Sequence, residues 1–321
     1  MSLATALLPQ THDEKAEFAQ DVLRGLSATR KYLAPKYFYD ARGAELFDQI
    51  TALPEYYPTR TEMAILRDHA RDIANLIPPG AALVEFGAGS SRKARILLGA
   101  TRNIAAYVPV DISADWLQHE AEGVARDFPR LDVVPVAADF MHPFDLPVEI
   151  AGAPRVGFFP GSTIGNLEPA EARQFLFGVG ATLGPGAILV IGVDLVKDRG
   201  TLNAAYNDAA GVTAAFNLNL LTRINRELGG TFDLGQFEHH AYFNKAASRI
   251  EMHLVSRDDQ RVRVGKNAFR FRQGESIHTE SSYKYTIETF QALARDSGWQ
   301  SLSAWTDPDD KFSVHALQLR D

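Results

Sequence analysis

Val84-Glu-Phe-Gly-Ala-Gly-Ser-Ser91 is the stretch of sequence that decides the fold. A short apolar run at 82–86 leads into two glycines, 87 and 89, and a helical pattern begins just after them. Glycines at these positions let a ligand approach the backbone at the carboxyl end of a strand, where open α/β sheets bind ligands. A Gly-x-Gly pair is weak evidence alone, so the neighbouring elements have to support it.

Alternating strand and helix patterns surround this stretch. Runs of β-branched residues predict strands at 82–86, 106–111, 133–139, 155–159 and 187–193. Helical patterns between them predict helices at 92–98, 114–127 and 169–183. Runs that are apolar throughout are typical of parallel strands buried on both faces. The alternation therefore predicts an α/β fold with a doubly wound sheet.

The alternation stops after Asp194 and resumes near residue 286. The intervening sequence predicts one long helix and two antiparallel extended stretches, at 201–228, 249–264 and 268–285. A helix at 287–297 and a strand at 312–319 then complete the α/β pattern. We therefore expect one domain of residues 62–195 and 286–321, and a second of residues 1–61 and 196–285.

Composition restricts the class of partner. The chain has 321 residues, a net charge of −7 and no cysteine, which disfavours nucleic acid binding and excludes disulfides and thiolate metal sites. No apolar run reaches the roughly 18 residues of a membrane span, and the first nine residues lack the positive region of a signal peptide. The adjacent His239 and His240 would point to opposite faces of a strand, so we expect no metal. We expect a cytoplasmic monomer without nucleic acid or membrane partners.

Acidic residues end the second and third predicted strands. Asp111 is suited to two ribose hydroxyls, and Asp139-Phe140 offers a carboxylate beside an aromatic wall for an adenine amino group. The alternative is that these aspartates only cap the following helices. Arg92 stands where a dinucleotide fingerprint needs a small residue. The Glu-x-Gly-x-Gly pattern at 85–89 instead resembles the first motif of class I methyltransferases, which implies S-adenosylmethionine as cofactor.

Two regions indicate the acceptor of the methyl group. The loop Phe158-Phe-Pro-Gly-Ser-Thr-Ile-Gly-Asn166 lacks the Asp/Asn-Pro-Pro-aromatic motif of many nucleic acid and protein amide methyltransferases. Its glycines and polar side chains are suited to a small zwitterion. Half of the ten tyrosines lie in the first 60 residues, at positions 32, 37, 39, 56 and 57. Most should pack in a core, but aromatic faces also favour a trimethylammonium product.

Four longer strings carry a specific resemblance. They are Lys36-Tyr-Phe-Tyr-Asp-Ala-Arg-Gly-Ala-Glu-Leu-Phe-Asp-Gln-Ile50, Leu53-Pro-Glu-Tyr-Tyr-Pro-Thr-Arg-Thr-Glu62, Gly161-Ser-Thr-Ile-Gly-Asn166 and Asp208-Ala-Ala-Gly-Val-Thr-Ala-Ala-Phe-Asn217. The chain after about residue 20 resembles the histidine-specific N-α-methyltransferases of ergothioneine biosynthesis. The resemblance implies a class I, Rossmann-like methyltransferase domain with a second, substrate-binding α+β domain. It also implies that L-histidine and its mono- and dimethyl forms are methylated to hercynine.

The resemblance also implies site residues. The cofactor-binding positions are Gly87, Lys93, Asp111, Asp139 and Phe140. The positions that hold the amino acid end are Tyr56, Gly161, Thr163, Asn166 and Tyr206, with Tyr39 near the reacting amine as the catalytic residue. The positions that bind the imidazole ring are Glu280 and Ser282, and Met252 shapes the pocket around that ring.

Other interpretations of these residues remain open at this point. Glu280 fits a solvated strand residue, Asn166 a cap of the helix at Pro169, and Tyr206 ordinary core packing. The chain could also methylate tryptophan or another amino acid, or bind S-adenosylmethionine without catalysis. A nicotinamide oxidoreductase is the remaining alternative, and Arg92 argues against it.

Overall fold

The computed structural model describes residues 14–112 and 114–320. The first 13 residues and residue 321, which belong to the two predicted domains, lie outside the described residues, as does the segment examined for a signal peptide. The α-helices are α1 Glu14–Ser27, α2 Ala41–Ala52, α3 Tyr57–Asp68, α4 Ala70–Leu76, α5 Ala94–Ala100, α6 Ala114–Asp127, α7 Pro169–Leu183, α8 Arg199–Tyr206, α9 Val212–Leu228 and α10 Ile287–Asp296. The strands are β1 Ala81–Phe86, β2 Ile104–Asp111, β3 Asp132–Val133, β4 Val136–Ala137, β5 Arg155–Phe159, β6 Ile188–Asp194, β7 Phe237–Asn244, β8 Arg249–Ser256, β9 Gln260–Val264, β10 Asn267–Phe271, β11 Ser276–Tyr283, β12 Trp299–Thr306 and β13 Phe312–Leu319. Short 3-10 helices lie at Pro35–Phe38, Val148–Ile150, Thr163–Asn166 and Leu234–Gln236.

The described chain forms two compact units. The first contains Arg60–Val196 and residues 285–320. The second contains residues 14–59 and Lys197–Lys284. Each unit has its own apolar core.

The first unit is built on one sheet with the strand order β12-β13-β6-β5-β1-β2-β3, and β4 lies beside β2. Strands β1 to β6 pair in parallel, whereas β13 is antiparallel to both β6 and β12. The order reverses next to β1, which is where a doubly wound sheet binds its ligand. This is the class I, Rossmann-like methyltransferase fold, and it confirms the predicted fold class.

Alternation along β1 shows why this sheet needs helices on both faces. Ala82 and Val84 join one buried cluster, whereas Ala81 and Leu83 join another. Successive side chains of a strand point to opposite faces, so β1, which is buried at every position, is covered on both sides. The motif that follows β1 therefore begins from a rigid strand.

The predicted strand at 133–139 is wrong as one continuous element. The structure has two separate pairs of residues, β3 and β4, on either side of Val134-Pro135. Proline has no N–H to donate to a neighbouring strand, so the ladder with β2 is interrupted there.

The second unit contains a three-stranded antiparallel sheet, β11-β8-β7, and a two-stranded sheet of β9 and β10. The predicted stretches at 249–264 and 268–285 are each divided by a turn, at residues 257–259 and 272–275. Both turns are polar and carry aspartate or glycine, which favour turn conformations over strand pairing. The helices α1, α2, α8 and α9 contribute to the core that covers these strands.

The predicted helix at 201–228 is also wrong, because α8 and α9 are separate. The carboxylate of Asp208 accepts hydrogen bonds from the backbone N–H groups of Val212 and Thr213, both at 2.8 Å. Gly211 has a φ of +73°, which a helix interior does not allow. A carboxylate that caps a new helix competes with continuation of the previous one. The break leaves Tyr206 at the end of α8.

We predict that Asp208→Ala destabilises the protein by about 1–2 kcal/mol, because two N–H groups at the start of α9 lose their acceptor. Hydrogen bonds to Thr213 and Val212 outweigh burial and lower the pKa of Asp208, so its contribution is present at neutral pH and is lost as the pH falls through the lowered pKa. Urea unfolding measures the effect. Asp198→Ala is the control, because Asp198 caps α8 from an exposed position and its loss should cost less. Equal losses for both variants would contradict the special role of Asp208.

Candidate active site

The glycine motif leaves bare backbone at the carboxyl end of β1. Gly87 has a φ of +75°, and its N–H donates to the carbonyl of Val110 at 2.9 Å. A Cβ atom on Gly87 would lie 3.4 Å from the Phe140 ring, whereas one on Gly89 would meet nothing within 4 Å. The first glycine therefore meets a backbone requirement, and the second keeps space open. This is a cradle that a side chain would fill.

Two carboxylates lie at neighbouring strand ends beside this cradle. Asp111 ends β2 and pairs in register with Ala137 of β4, two residues before Asp139. Asp139 accepts a hydrogen bond from the Met141 N–H at 2.9 Å, so it also stabilises its own turn. The Phe140 ring beside it lies 5.8 Å from the Phe159 ring. Two acceptors and an apolar wall fit the ribose hydroxyls and the adenine of S-adenosylmethionine.

Glu85, the acidic residue of the motif, lies inside the sheet domain. It is 1% exposed and accepts a hydrogen bond from the Tyr107 hydroxyl. Burial raises the pKa of Glu85 to about 8, although the Tyr107 hydroxyl opposes that rise. A buried carboxyl with an internal partner is a structural element of this site and is not a group that faces a ligand.

Glu62 is a site residue that the sequence did not indicate. Both of its oxygens lie 2.9 Å from the Gly161 N–H, and one lies 2.5 Å from the Lys93 ammonium. Glu62 is 1% exposed, so this ion pair is shielded from water. Lys93, predicted from the resemblance to bind cofactor, is thus held beside the loop that follows β5. A Cβ atom on Gly161 would lie 3.4 Å from the Lys93 ammonium.

The loop after β5 has an unusual backbone. Gly161 has a φ of +88° and Ser162 a φ of +57°, so two consecutive residues occupy the left-handed region. The Ser162 hydroxyl accepts from the Asp194 N–H at 2.9 Å, and Thr163 donates to the Pro160 carbonyl at 3.1 Å. Asn166 ends the short 3-10 helix of this loop.

Asn166 is not the cap of α7. Glu168 occupies the N-cap position, and its N–H donates to the Glu171 carboxylate at 2.9 Å. The interpretation of Asn166 as that helix's cap is therefore wrong.

The second unit holds a cluster of five aromatic rings. Their centroids lie between 5.6 and 6.4 Å apart along the chain of contacts, which runs through Tyr39, Phe47, Phe216, Tyr56 and Tyr206. Tyr39 is 48% exposed, so one end of the cluster is open to solvent. Aromatic faces attract organic cations, and the cluster is suited to an ammonium group.

A polar row on β11 and the residue that follows it adjoins the buried end of this cluster. Glu280, Ser282 and Lys284 alternate along the chain and so share one face. The Tyr206 hydroxyl donates to the Ser282 hydroxyl at 2.9 Å, and the Lys284 ammonium donates to Ser282 at 2.8 Å and to Tyr206 at 3.1 Å. Met252 lies opposite Glu280 in the register of β8 and β11. The row gives the aromatic cluster a charged inner boundary.

Glu280 is 8% exposed, so its interpretation as a solvated strand residue is wrong. Burial raises the pKa of Glu280 to about 7, and the nearby charge of Lys284 limits the rise. A carboxyl group with this pKa is poised to accept or release a proton near neutrality.

The residues implied by the resemblance divide between the two units. The first unit holds Gly87, Lys93, Asp111, Asp139, Phe140, Gly161, Thr163 and Asn166. The second holds Tyr39, Tyr56, Tyr206, Met252, Glu280 and Ser282. The contacts add Glu62, Phe47, Phe216 and Lys284. Phe47, Glu62 and Phe216 lie within the strings that carried the resemblance, whereas Lys284 could be inferred only from its alternation with Ser282.

Across residues 14–112 and 114–320, no group of three His, Cys, Asp or Glu side chains is placed to hold a metal ion. Within the same part of the chain, no helix has both the length and the apolar character needed to cross a membrane.

Comparison with known proteins agrees with this geometry. A profile of the family described as "Histidine-specific methyltransferase, SAM-dependent" matches residues 18–319. The chain is 43% identical to histidine N-alpha-methyltransferase of Mycolicibacterium smegmatis, covering 98% of each chain, and 42% identical to the Mycobacterium tuberculosis protein of that name, covering 92% of each. It is 31% identical to ergothioneine biosynthesis protein 1 of Neurospora crassa, over 87% of this chain and 32% of that protein. The chain therefore belongs to the family of histidine-specific, S-adenosylmethionine-dependent methyltransferases.

Proposed function

We propose that this enzyme transfers three methyl groups from S-adenosylmethionine to the α-amino group of L-histidine, giving hercynine for ergothioneine biosynthesis. The observation that carries the proposal is the buried carboxylate of Glu280 next to the Ser282 hydroxyl. A carboxylate and a hydroxyl are costly to bury unless polar partners complete their hydrogen bonds. An imidazole ring, with one N–H donor and one nitrogen acceptor, is such a ligand.

The substrate roles follow from this assignment of the ring pocket. We propose that Glu280 and Ser282 bind the imidazole and that Met252 limits the size of the ring. Tyr56, Asn166 and Tyr206, with the backbone turn at Gly161 and the Thr163 hydroxyl, would hold the amino acid end. The domain of residues 1–61 and 196–285 would then be the substrate-binding domain, and residues 62–195 and 286–321 the methyltransferase domain.

The amine has to be neutral to react. S-adenosylmethionine supplies an electrophilic methyl group on a sulfonium. At neutral pH an α-amino group is largely protonated, so a proton acceptor has to lie near it. We propose that the partly exposed Tyr39 orders the water that takes this proton. The aromatic rings around Tyr39 stabilise the growing positive charge. The trimethylated product has no lone pair left, and so the reaction stops there.

Two further features are part of the proposal. The enzyme would work as a cytoplasmic monomer without nucleic acid or membrane partners, supported by its net charge of −7 and the absence of cysteine. Tryptophan is disfavoured as acceptor, because its indole offers one N–H and no acceptor for the Ser282 hydroxyl. Its larger ring would also meet Met252, which is 1% exposed.

We predict that Asp111→Ala weakens the binding of S-adenosylmethionine by about 1–3 kcal/mol, because two ribose hydroxyls lose their acceptor. Isothermal titration calorimetry measures the affinity. Asp132→Ala is the matched control, because Asp132 is an exposed aspartate at the start of β3 in the same sheet. An unchanged affinity in Asp111→Ala would remove Asp111 from the cofactor site.

We predict that Glu280→Ala raises the KM for histidine by one to two orders of magnitude, because a charge-assisted hydrogen bond contributes roughly 1.5–3 kcal/mol. Removal of the carboxylate should also improve acceptance of tryptophan, more so when Met252→Val enlarges the pocket. The measurement is kcat/KM for both amino acids in the wild type and the variants. A second measurement, the affinity for S-adenosylmethionine, should be unchanged. If the ratio of kcat/KM for tryptophan to kcat/KM for histidine does not rise in Glu280→Ala, Glu280 does not bind the imidazole ring.

A further inference from the structure

Lys284 is a buried cation that the proposed mechanism has not used. It is 3% exposed, and its ammonium donates to the Ser282 and Tyr206 hydroxyls. A lysine ammonium has three donors and no acceptor, so both hydroxyl oxygens have to act as acceptors toward it. One lone pair on each oxygen is therefore taken.

The Tyr206 hydroxyl donates its own proton to Ser282 at 2.9 Å. The Ser282 oxygen thus accepts two hydrogen bonds, from Lys284 and from Tyr206, and a hydroxyl oxygen has two lone pairs. Ser282 then has no accepting capacity left, and its O–H is directed to a further acceptor. In this arrangement Ser282 is a donor toward any ligand beside it.

A donor at Ser282 and an acceptor at Glu280 match one state of an imidazole ring. The neutral ring has one N–H for the Glu280 carboxylate and one unprotonated nitrogen for the Ser282 O–H. The imidazolium has two N–H groups, and the second would face the hydroxyl with no acceptor. We infer that Lys284 is a positioning residue that acts through Ser282 to make the pocket select the neutral imidazole of histidine. This inference rests on the proposed function.

The charges around Lys284 agree with this selection. Glu280 lies on the same face as Ser282 and Lys284. On the neighbouring strand β8, Met252 lies opposite Glu280 and Ile250 lies opposite Ser282, and both are apolar. From β7, His239 contacts the Tyr206 carbonyl at 2.8 Å, and burial lowers the pKa of His239, so this ring is neutral near pH 7. Lys284 is thus the cation of this face, and it also repels an imidazolium.

Histidine and triazolylalanine are the two substrates for the test. A triazole is a far weaker base than imidazole and stays neutral from about pH 5 to 8, while free histidine titrates near 6.5. The titration of Glu280 and of other enzyme groups affects both substrates alike, so it cancels in the ratio of the KM for histidine to the KM for triazolylalanine. In the wild type this ratio should rise about fivefold between about pH 6.5 and 5.5, and approach about a tenfold rise per pH unit at lower pH.

In Lys284→Met, Ser282 regains an accepting lone pair, and the repulsion between the Lys284 ammonium and an imidazolium is lost. The rise in the ratio between about pH 6.5 and 5.5 should fall from about fivefold to less than about twofold. Ser282→Ala should flatten the ratio in the same way without altering Lys284, and it decides the matter if Lys284→Met does not fold. Lys31→Met is the matched control, because Lys31 pairs with Glu275 in the same unit, and its profile should equal that of the wild type.

A wild-type pH profile in Lys284→Met, or in Ser282→Ala if Lys284→Met does not fold, would overturn the inference. A wild-type enzyme that methylates neither substrate would instead refute the proposed function, so the two failures are distinguishable.

Discussion

Glu280 in β11 and Lys284, the residue just after β11, are oppositely charged side chains that share one face and are both buried. Taking an ion out of water costs several kcal/mol, and the protein recovers this only through close, well-directed partners. Lys284 has two hydroxyl partners, whereas Glu280 is left with burial and the more distant charge of Lys284. The proposed role of Glu280 in binding the imidazole ring supplies the hydrogen-bond partner that this buried carboxyl group needs.

Much of the second unit is arranged around this row. The helix α8 ends at Tyr206, which places its hydroxyl against Ser282, and Asp208 starts α9 only a few residues later. The pairing of β8 with β11 sets Met252 opposite Glu280, which is why we propose that Met252 limits the size of the ring. In the first unit, the buried Glu62 holds both Lys93 and the backbone of Gly161. In each unit a buried carboxyl group thus lies among the residues that we propose bind substrate or cofactor.

The sheet domain could be predicted from the sequence because its signals are local. Apolar runs such as β1 and β6 are buried on both faces, and Asp111 directly ends the apolar run of β2. The errors arose where one residue overrides a local pattern. Pro135 interrupts a strand, and Asp208 starts a new helix inside an unbroken helical pattern. Glu62 was not predicted because its partners, Lys93 and Gly161, are distant in sequence. Lys284 was not predicted because its role depends on being buried together with Ser282 and Tyr206.

The proposed reaction places three methyl groups on the α-nitrogen of free histidine. Mass spectrometry of L-histidine, incubated with the protein and an excess of S-adenosylmethionine, tests this reaction. We expect one end product with three added methyl groups, all on the α-nitrogen as located by fragmentation, and mono- and dimethylhistidine as transient species. A product methylated on the imidazole ring, or one that stops at a single methyl group with donor still present, would contradict it.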